Sequence, residues 1–338
     1  MAGLPDDMRI LLLGGTGVIS TGITRQLLER GEAVTLFNRG RTASGFEGQV
    51  TTIHGERQSA ADLRGLAAMQ FDAVIDMICY TEADAELAIA AFSGHTPHYL
   101  LCSTVDVFTT PAAVYPITET HPRQPSPKFR YAYQKAIAEQ RFEAAAAAAA
   151  FGLTILRPAA TYAANIVAPI GTTALYLDLL RRGRPLIVHG DGSTLWVATH
   201  RDDVARGFVG ALGNPRAIGQ SYILASDEFI TWERYWQIAA EAIGAPPPSF
   251  VHIPTEVLAR LVPDMAEWCD INFQYHNVLS SAAARRDLGF DPKIPWREGA
   301  EALRGLTALP PAPLLQRYEA LLARWQQAMA GLQAPIPA

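Results

Sequence analysis

Short apolar runs alternate with amphipathic stretches through the first half of the chain. Arg9–Leu13 ends in four consecutive aliphatic residues and then meets glycines, the pattern of a buried strand. A helical pattern follows to about Arg30, with Gly31 as its stop and Ala33–Phe37 as the next strand. Val50–Ile53, Ala73–Met77, His98–Cys102 and Leu153–Leu156 continue the series, with helical stretches between most of them. This alternation predicts an α/β fold, a Rossmann-type doubly wound parallel sheet. Right-handed crossovers then bring the carboxyl ends of the strands to one edge, where ligands bind. Tyr131–Ala150 predicts a long packed helix despite its seven consecutive alanines, because alanine is the best helix former and Gly152 offers a stop. A subunit interface on that helix, and so a homodimer, is expected.

Beyond about residue 160 the pattern loosens. It predicts helices near Thr172–Arg182, Trp232–Ile243 and Ser281–Leu288, strands near Leu186–Val188 and Ser221–Leu224, and a closing helix at about Leu314–Leu332. Prolines at Pro246–Pro248 and Pro310–Pro313 mark loops. The division expected is a dinucleotide-binding domain over 1–160, with 194–225 returning to it. A smaller, mostly C-terminal α/β substrate lobe is expected over 161–193 and 226–338.

Composition narrows the classes. Of 338 residues, 49% are hydrophobic and 18% charged, as in a globular protein. The net charge is −5 and the basic residues are scattered, which argues against a nucleic-acid partner. Cys79, Cys102 and Cys269 are odd in number and far apart, so no disulfide framework or metal site is expected and a reducing cytoplasm is the natural setting. His95, His98 and His121 show no pairing that suggests a metal. The opening residues lack a signal peptide's basic flank and apolar run, and the alanine run is too short to span a membrane.

The candidate chemistry begins at the first strand–helix junction, Gly14-Gly15-Thr16-Gly17-Val18-Ile19-Ser20. Gly14 permits the tight turn, and Gly17 lets backbone N–H groups approach a pyrophosphate at the positive end of the following helix. The backbone at Gly14, Thr16, Gly17, Val18 and Ile19 is therefore the expected dinucleotide cradle, with a small Ser20 where a third glycine is common. A carboxylate at the end of the second strand would bind the ribose 2′-hydroxyl of NAD. Asn38 stands there instead, with Arg39 and Arg41 close by, and a guanidinium suits a 2′-phosphate, so NADP is favoured over NAD. Met77 and Cys102, at or near strand ends, complete the expected cofactor contacts.

Tyr131 and Lys135 lie one helical turn apart on the same face. A free tyrosine titrates near 10 and is a poor base at neutral pH, whereas a neighbouring ammonium favours the phenolate. With three lysines and eleven tyrosines, a chance Tyr-x-x-x-Lys has an expectation of only about 0.1. Just before that helix, Ser103 and Thr104 place hydroxyls at a strand's carboxyl end, able to bond a substrate oxygen.

These features resemble the extended short-chain dehydrogenase/reductase superfamily, in its NAD-dependent epimerase/dehydratase branch. The resemblance covers about residues 8–300. It rests on the Gly14–Ser20 turn, Ser103-Thr104-x-x-Val107-Phe108, Tyr131-x-x-x-Lys135 with Glu139, Leu156-Arg157-Pro158, and Gly190-Asp191-Gly192-Ser193 leading to Asp202-Asp203-Val204-Ala205. It implies Thr104 as the catalytic hydroxyl, Tyr131 as acid/base, Lys135 holding the nicotinamide ribose, and Pro158 beside the cofactor. Where nucleotide-sugar members usually carry an arginine for the substrate diphosphate, this chain has Trp196, and Phe108 replaces the usual tyrosine. With His200, where a loop enters a helix, these form the expected substrate set: Thr104, Phe108, Tyr131, Trp196 and His200. Asp202 is expected to cap that helix. The expected activity is NAD(P)-dependent oxidoreduction or epimerisation at a secondary alcohol or ketone of a small sugar-like or nucleoside-like substrate. The alternatives are a nucleotide-sugar epimerase or dehydratase, and a noncatalytic dinucleotide-sensing or RNA-binding relative.

Overall fold

The structure is a computed structural model and describes residues 8–331. The residues at either end, including Leu332 of the expected closing helix, lie outside the described residues. The chain divides into two compact units. The first runs to Thr161 and takes back Ala198–Asp227 and Leu279–Ile294; the second holds Tyr162–Val197, Glu228–Val278 and the chain from Pro295 onward.

In chain order the first unit carries β1 (Arg9–Leu13), α1 (Val18–Glu29), β2 (Ala33–Asn38), β3 (Thr51–His54) and α2 (Ala60–Ala67). β4 (Ala73–Asp76), α3 (Glu82–Phe92), β5 (His98–Cys102), α4 (Arg130–Ala147) and β6 (Gly152–Pro158) follow, and β7 (Ala160–Tyr162) ends on the first residue of the second unit. α5 (Thr173–Arg181), β8 (Leu186–His189) and β9 (Leu195–Trp196) build the second unit, and β10 (Ala198–His200), α6 (Arg201–Ala211) and β11 (Gln220–Leu224) return to the first. β12 (Ile230–Thr231), α7 (Trp232–Ile243), β13 (Phe250–Ile253) and α8 (Thr255–Leu261) belong to the second, and α9 (Ala282–Leu288) to the first. α10 (Trp296–Gly299) and α11 (Ala312–Gly331) are again in the second.

The first unit is a seven-stranded sheet in the order β11-β6-β5-β4-β1-β2-β3, with parallel pairing throughout. Its strands read as continuous apolar runs because both faces are covered. Ile10 and Leu12 enter one core cluster with α1 and α6, while Leu11 and Leu13 enter the opposite one with α2, α3 and α4. This is the expected doubly wound Rossmann-type architecture. In the second unit, β8 pairs in parallel with β13, and β9 pairs antiparallel with β12.

Three local expectations change. Gly152 does not stop α4; it opens β6, where a Cβ would lie 2.9 Å from Ile218 Cδ1 and 3.0 Å from the Pro97 carbonyl oxygen. The helix ends instead through Ala149, left-handed at φ 58°, with the Ala150 N–H donating back to the Ala145 carbonyl. Leu279–Ile294, expected in the substrate lobe, contributes Ala284, Leu288 and Phe290 to the core of the first unit. The buried Asp203 carboxylate fixes it there, accepting the N–H groups of Lys293 and Ile294, each at 2.9 Å. Finally, the N-cap of α6 is His200, whose Nδ1 accepts the Asp202 N–H at 3.3 Å; Asp202 lies within the first turn and pairs with Arg25.

Candidate active site

Gly14 takes φ 90°, a conformation that favours glycine, and a Cβ there would lie 2.5 Å from Ile78 Cγ2. Gly17 is the extended N-cap of α1. Ser20 does more than leave room: its Oγ accepts the Gly17 N–H at 2.7 Å and donates to the Gly17 carbonyl at 3.1 Å, fixing the turn. The close helix packing is supplied two residues later, where a Cβ on Gly22 would stand 3.2 Å from the Arg201 carbonyl oxygen on α6. Thr16 and Ile19 are half-buried and Val18 is exposed at the mouth of this turn. The first N–H groups of a helix have no intrahelical partners, so the bare turn fits a pyrophosphate.

At the end of β2 the Asn38 side chain is used locally, its Oδ1 accepting the Gly40 N–H at 2.8 Å. Arg39 and Arg41 beside it are exposed. At the end of β4, Asp76 is fully buried. Its Oδ2 accepts from Arg57 Nη2 at 2.8 Å and from the Tyr99 hydroxyl at 2.7 Å, and its Oδ1 from the Ile78 N–H at 3.1 Å. This network, absent from the expectations, sets the path of the chain past the sheet edge. The Met77 side chain packs in the core, and the side chains of Cys102 and Pro158 are buried. Contact between these three and a dinucleotide would therefore be made chiefly by backbone.

Thr104 follows β5 and caps a single turn of 3₁₀ helix, Val105–Val107. Its hydroxyl donates to Asp106 Oδ2 at 3.1 Å and accepts the Asp106 N–H at 3.2 Å. The same Thr104 side chain lies near enough to the Tyr131 phenol to favour its ionised form. The Tyr131 residue is 37% exposed, yet its hydroxyl end lies deep enough that burial is the largest cause raising its pKa. The Asp106 charge raises it further, and Thr104 lowers it only in part. Tyr131 is therefore a neutral phenol at neutral pH in this state.

Lys135 has its Nζ buried, donating to the Cys102 carbonyl at 2.7 Å and 5.0 Å from the centre of the Tyr80 ring. These contacts hold the ammonium at the end of β5. With three donors on an ammonium, Lys135 retains capacity to hold a ribose hydroxyl there. Asp106 and Tyr80 were not anticipated. The first was legible as a carboxylate two residues beyond the catalytic hydroxyl, a spacing at which a side chain commonly bonds the local backbone.

Two expected substrate contacts are core residues. Phe108 is fully buried, with the Arg157 guanidinium 5.3 Å from its ring centre. Trp196 is 2% exposed, stacked on Trp232 with ring centres 4.8 Å apart and meeting Phe273 edge-on at 5.0 Å. Such an indole is committed to packing, so Trp196 leaves the expected substrate set. His200 is half-buried, and burial pushes its pKa down.

Residues 10–225 match the model of the NAD dependent epimerase/dehydratase family. Among curated proteins, the chain is 28% identical over 262 residues to a 2′-dehydrokanamycin reductase of Streptomyces kanamyceticus, covering 77% of this chain and 73% of that one. It is 24% identical over 309 residues to the chloroplast stem-loop binding protein of 41 kDa b of Arabidopsis thaliana, covering 87% and 77%. Among solved structures, a UDP-glucose 4-epimerase of Thermotoga maritima superposes with a TM-score of 0.71 at 16% identity, over 93% of this chain and 100% of that one. A UDP-glucuronic acid 4-epimerase of Bacillus cereus, solved with UDP-glucuronic acid and NAD, gives 0.69 at 18%, over 88% and 98%. At these identities the structural likeness is one of fold. Among the described residues, no group of three or more His, Cys, Asp or Glu could hold a metal ion, and no helix is long and apolar enough to cross a membrane.

Proposed function

The chain belongs to the NAD dependent epimerase/dehydratase family, and on that premise we propose that it reduces a ketone on a sugar-like ring to the secondary alcohol, with Tyr131 as proton donor. The observation that carries this reading is the placement of the Tyr131 phenol by the Thr104 hydroxyl, which its bonds to Asp106 fix just beyond β5. A neutral phenol is ready to give a proton, which is what the reductive direction requires. A reduced nicotinamide, when bound, would supply the hydride for the carbonyl carbon. Thr104 and Tyr131 hold the carbonyl oxygen, Tyr131 passes its proton to that oxygen as the C–H bond forms, and solvent restores the phenol. Lys135, held on the Cys102 carbonyl, would hold the nicotinamide ribose.

The substrate class follows from what is missing. The position usually given to a diphosphate-binding arginine holds the buried Trp196, so a nucleotide carrier has no cation there. A sugar-like ring without a nucleotide fits better, and the similarity to a 2′-dehydrokanamycin reductase supports that choice. The second relative's name speaks of stem-loop binding, but a net charge of −5 with scattered basic residues does not favour that role here.

The test is the near-ultraviolet absorbance of NADPH, followed with a panel of keto-sugars and keto-glycosides against UDP-glucose and UDP-glucuronic acid. Net NADPH consumption with a non-nucleotide ketone is expected. Turnover of a nucleotide sugar without net change in reduced cofactor would replace this reading with an epimerase.

NADP is the proposed form because Arg39 and Arg41 are exposed beside the Asn38 turn. Arg39→Ala is expected to weaken NADPH binding at least about tenfold more than NADH binding, since only NADPH carries the 2′-phosphate. Fluorescence titration measures both, and equal losses would make Arg39 a bystander.

A further inference from the structure

The turn after β5 sets a carboxylate beside the Thr104 hydroxyl. Asp106 is half-buried, and its Oδ2 accepts that hydroxyl at 3.1 Å. We propose that Asp106 accepts a hydroxyl on the ring carbon next to the reacting carbonyl, so that the site selects an α-hydroxy ketone. The inference rests on the reductase reading and adds to it the residue that chooses among ketones.

Hydrogen-bond capacity is the first argument. A threonine hydroxyl has one proton and two lone pairs. Thr104 gives its proton to Asp106 and uses one lone pair on the Asp106 N–H at 3.2 Å. A ketone oxygen can only accept, so Thr104 bonds it only by turning its proton away from Asp106. That turn takes a donor from a half-buried carboxylate, a loss that opposes ketone binding. A hydroxyl on the neighbouring carbon restores the donor. Oxygens on adjacent ring carbons lie about as far apart as two hydrogen-bonded oxygens. Thr104 Oγ1 and Asp106 Oδ2, at 3.1 Å, match that spacing. The carbonyl oxygen on Thr104 and the hydroxyl on Asp106 then make a two-point contact, and the bond to the carboxylate is charge-assisted.

Placement is the second argument. Val105–Val107 form one 3₁₀ turn, closed by the Phe108 N–H donating to the Val105 carbonyl at 3.2 Å, and both valines are buried. With its two neighbours turned into the core, Asp106 is the residue of this turn that reaches the surface. The largest charge effect on the Tyr131 phenol comes from Asp106, so the carboxylate, the Thr104 hydroxyl and the proton donor share one corner. Tyr131 is 37% exposed, and the corner is therefore open to a substrate. A carboxylate serving only to cap the turn would make the same Thr104 bonds. The two roles part on substrate choice, because a cap treats every ketone alike.

The experiment uses the full-length protein with NADPH and two probes, 2-hydroxycyclohexanone and cyclohexanone, which differ by that one hydroxyl. The native protein is expected to reduce the hydroxy ketone at least about tenfold better in kcat/KM, as a site built to bond a substrate hydroxyl does. Asp106→Ala should bring the two ketones within about twofold of each other. Asp106→Asn keeps an acceptor for Thr104 but loses the charge, and should lower the preference at least about threefold even if the alanine variant is unstable. Calorimetric titration of the NADP⁺-loaded protein with the same ketones reads binding without turnover and should show the same order. Equal treatment of the two ketones by the native protein, or a preference that survives both substitutions, would overturn the proposal. If neither ketone is reduced, yet the titration shows the preference and Asp106→Ala removes it, the reductase reading falls and Asp106 keeps its role. No reduction and no binding of either ketone overturns both.

Discussion

Tyr131→Phe is expected to lower turnover by at least about 10²-fold while leaving dinucleotide affinity within about twofold, the signature of lost acid–base catalysis. The substitution removes one oxygen and keeps a ring of the same shape next to Phe129, whose centre is 6.2 Å away. Thr104 remains fixed by its two bonds to Asp106, so the oxygen-binding edge survives without its proton donor. Steady-state rates with a keto-sugar and a fluorescence titration of cofactor give the two readouts. The pH dependence is signed by the same contacts. Burial and the Asp106 charge raise the Tyr131 pKa above its ordinary value near 10, so the protonated form persists across the neutral range. Reduction should therefore be flat there and fail only at high alkalinity, while alcohol oxidation, which needs the phenolate, should climb with pH. A variant with near-normal turnover would remove Tyr131 from the chemistry.

The parts of this molecule that were legible in the sequence are those set by neighbours in the chain. Arg9–Leu13 and the glycine turn announce themselves through local period and local backbone need, and the Tyr131–Lys135 spacing places both on one helical face. What escaped depends on partners far away. Nothing near Trp196 indicates that Trp232 and Phe273 will enclose it, and nothing near Leu279–Ile294 indicates that Asp203 will bind two of its N–H groups and return it to the first unit. Lys135 is instructive in the same way. Helical spacing fixes which face it occupies, but a five-bond side chain can turn to whichever carbonyl and ring lie within reach. Those are Cys102 on β5 and Tyr80 after β4. Gly152 misled for a related reason, because a glycine required by close approach of the loops at Pro97 and Ile218 looks the same as one required by a helix end.

The largest loss of stability is expected at Glu139, one turn beyond Lys135 on α4. Its carboxylate is fully buried and accepts both Nε and Nη2 of Arg157 at 2.8 Å, with Arg123 as a further partner. Arg157, itself 1% exposed, also donates to the Ser221 hydroxyl at 3.0 Å, so the pair ties α4, β6 and β11 together. Burial alone would raise the Glu139 pKa, but the Arg157 charge and hydrogen bonds outweigh it and the net direction is down. Glu139→Gln leaves an uncompensated buried guanidinium and is expected to cost about 3–5 kcal/mol, read as a shift in the urea midpoint. Replacing the pair together, Glu139→Leu with Arg157→Met, should cost much less, because no lone charge remains. Equal losses in the single and double variants would show that packing, not charge, is at stake. The sign of the pH dependence follows from the depressed pKa. The stabilisation from Glu139 is fully present above the ordinary unfolded value near 4.3 and is lost as pH falls through the lower folded value. The native protein should accordingly lose stability on acidification below that value, and Glu139→Gln should lack this part of the loss. A variant whose acid profile keeps the full native slope would place the titrating carboxylate elsewhere.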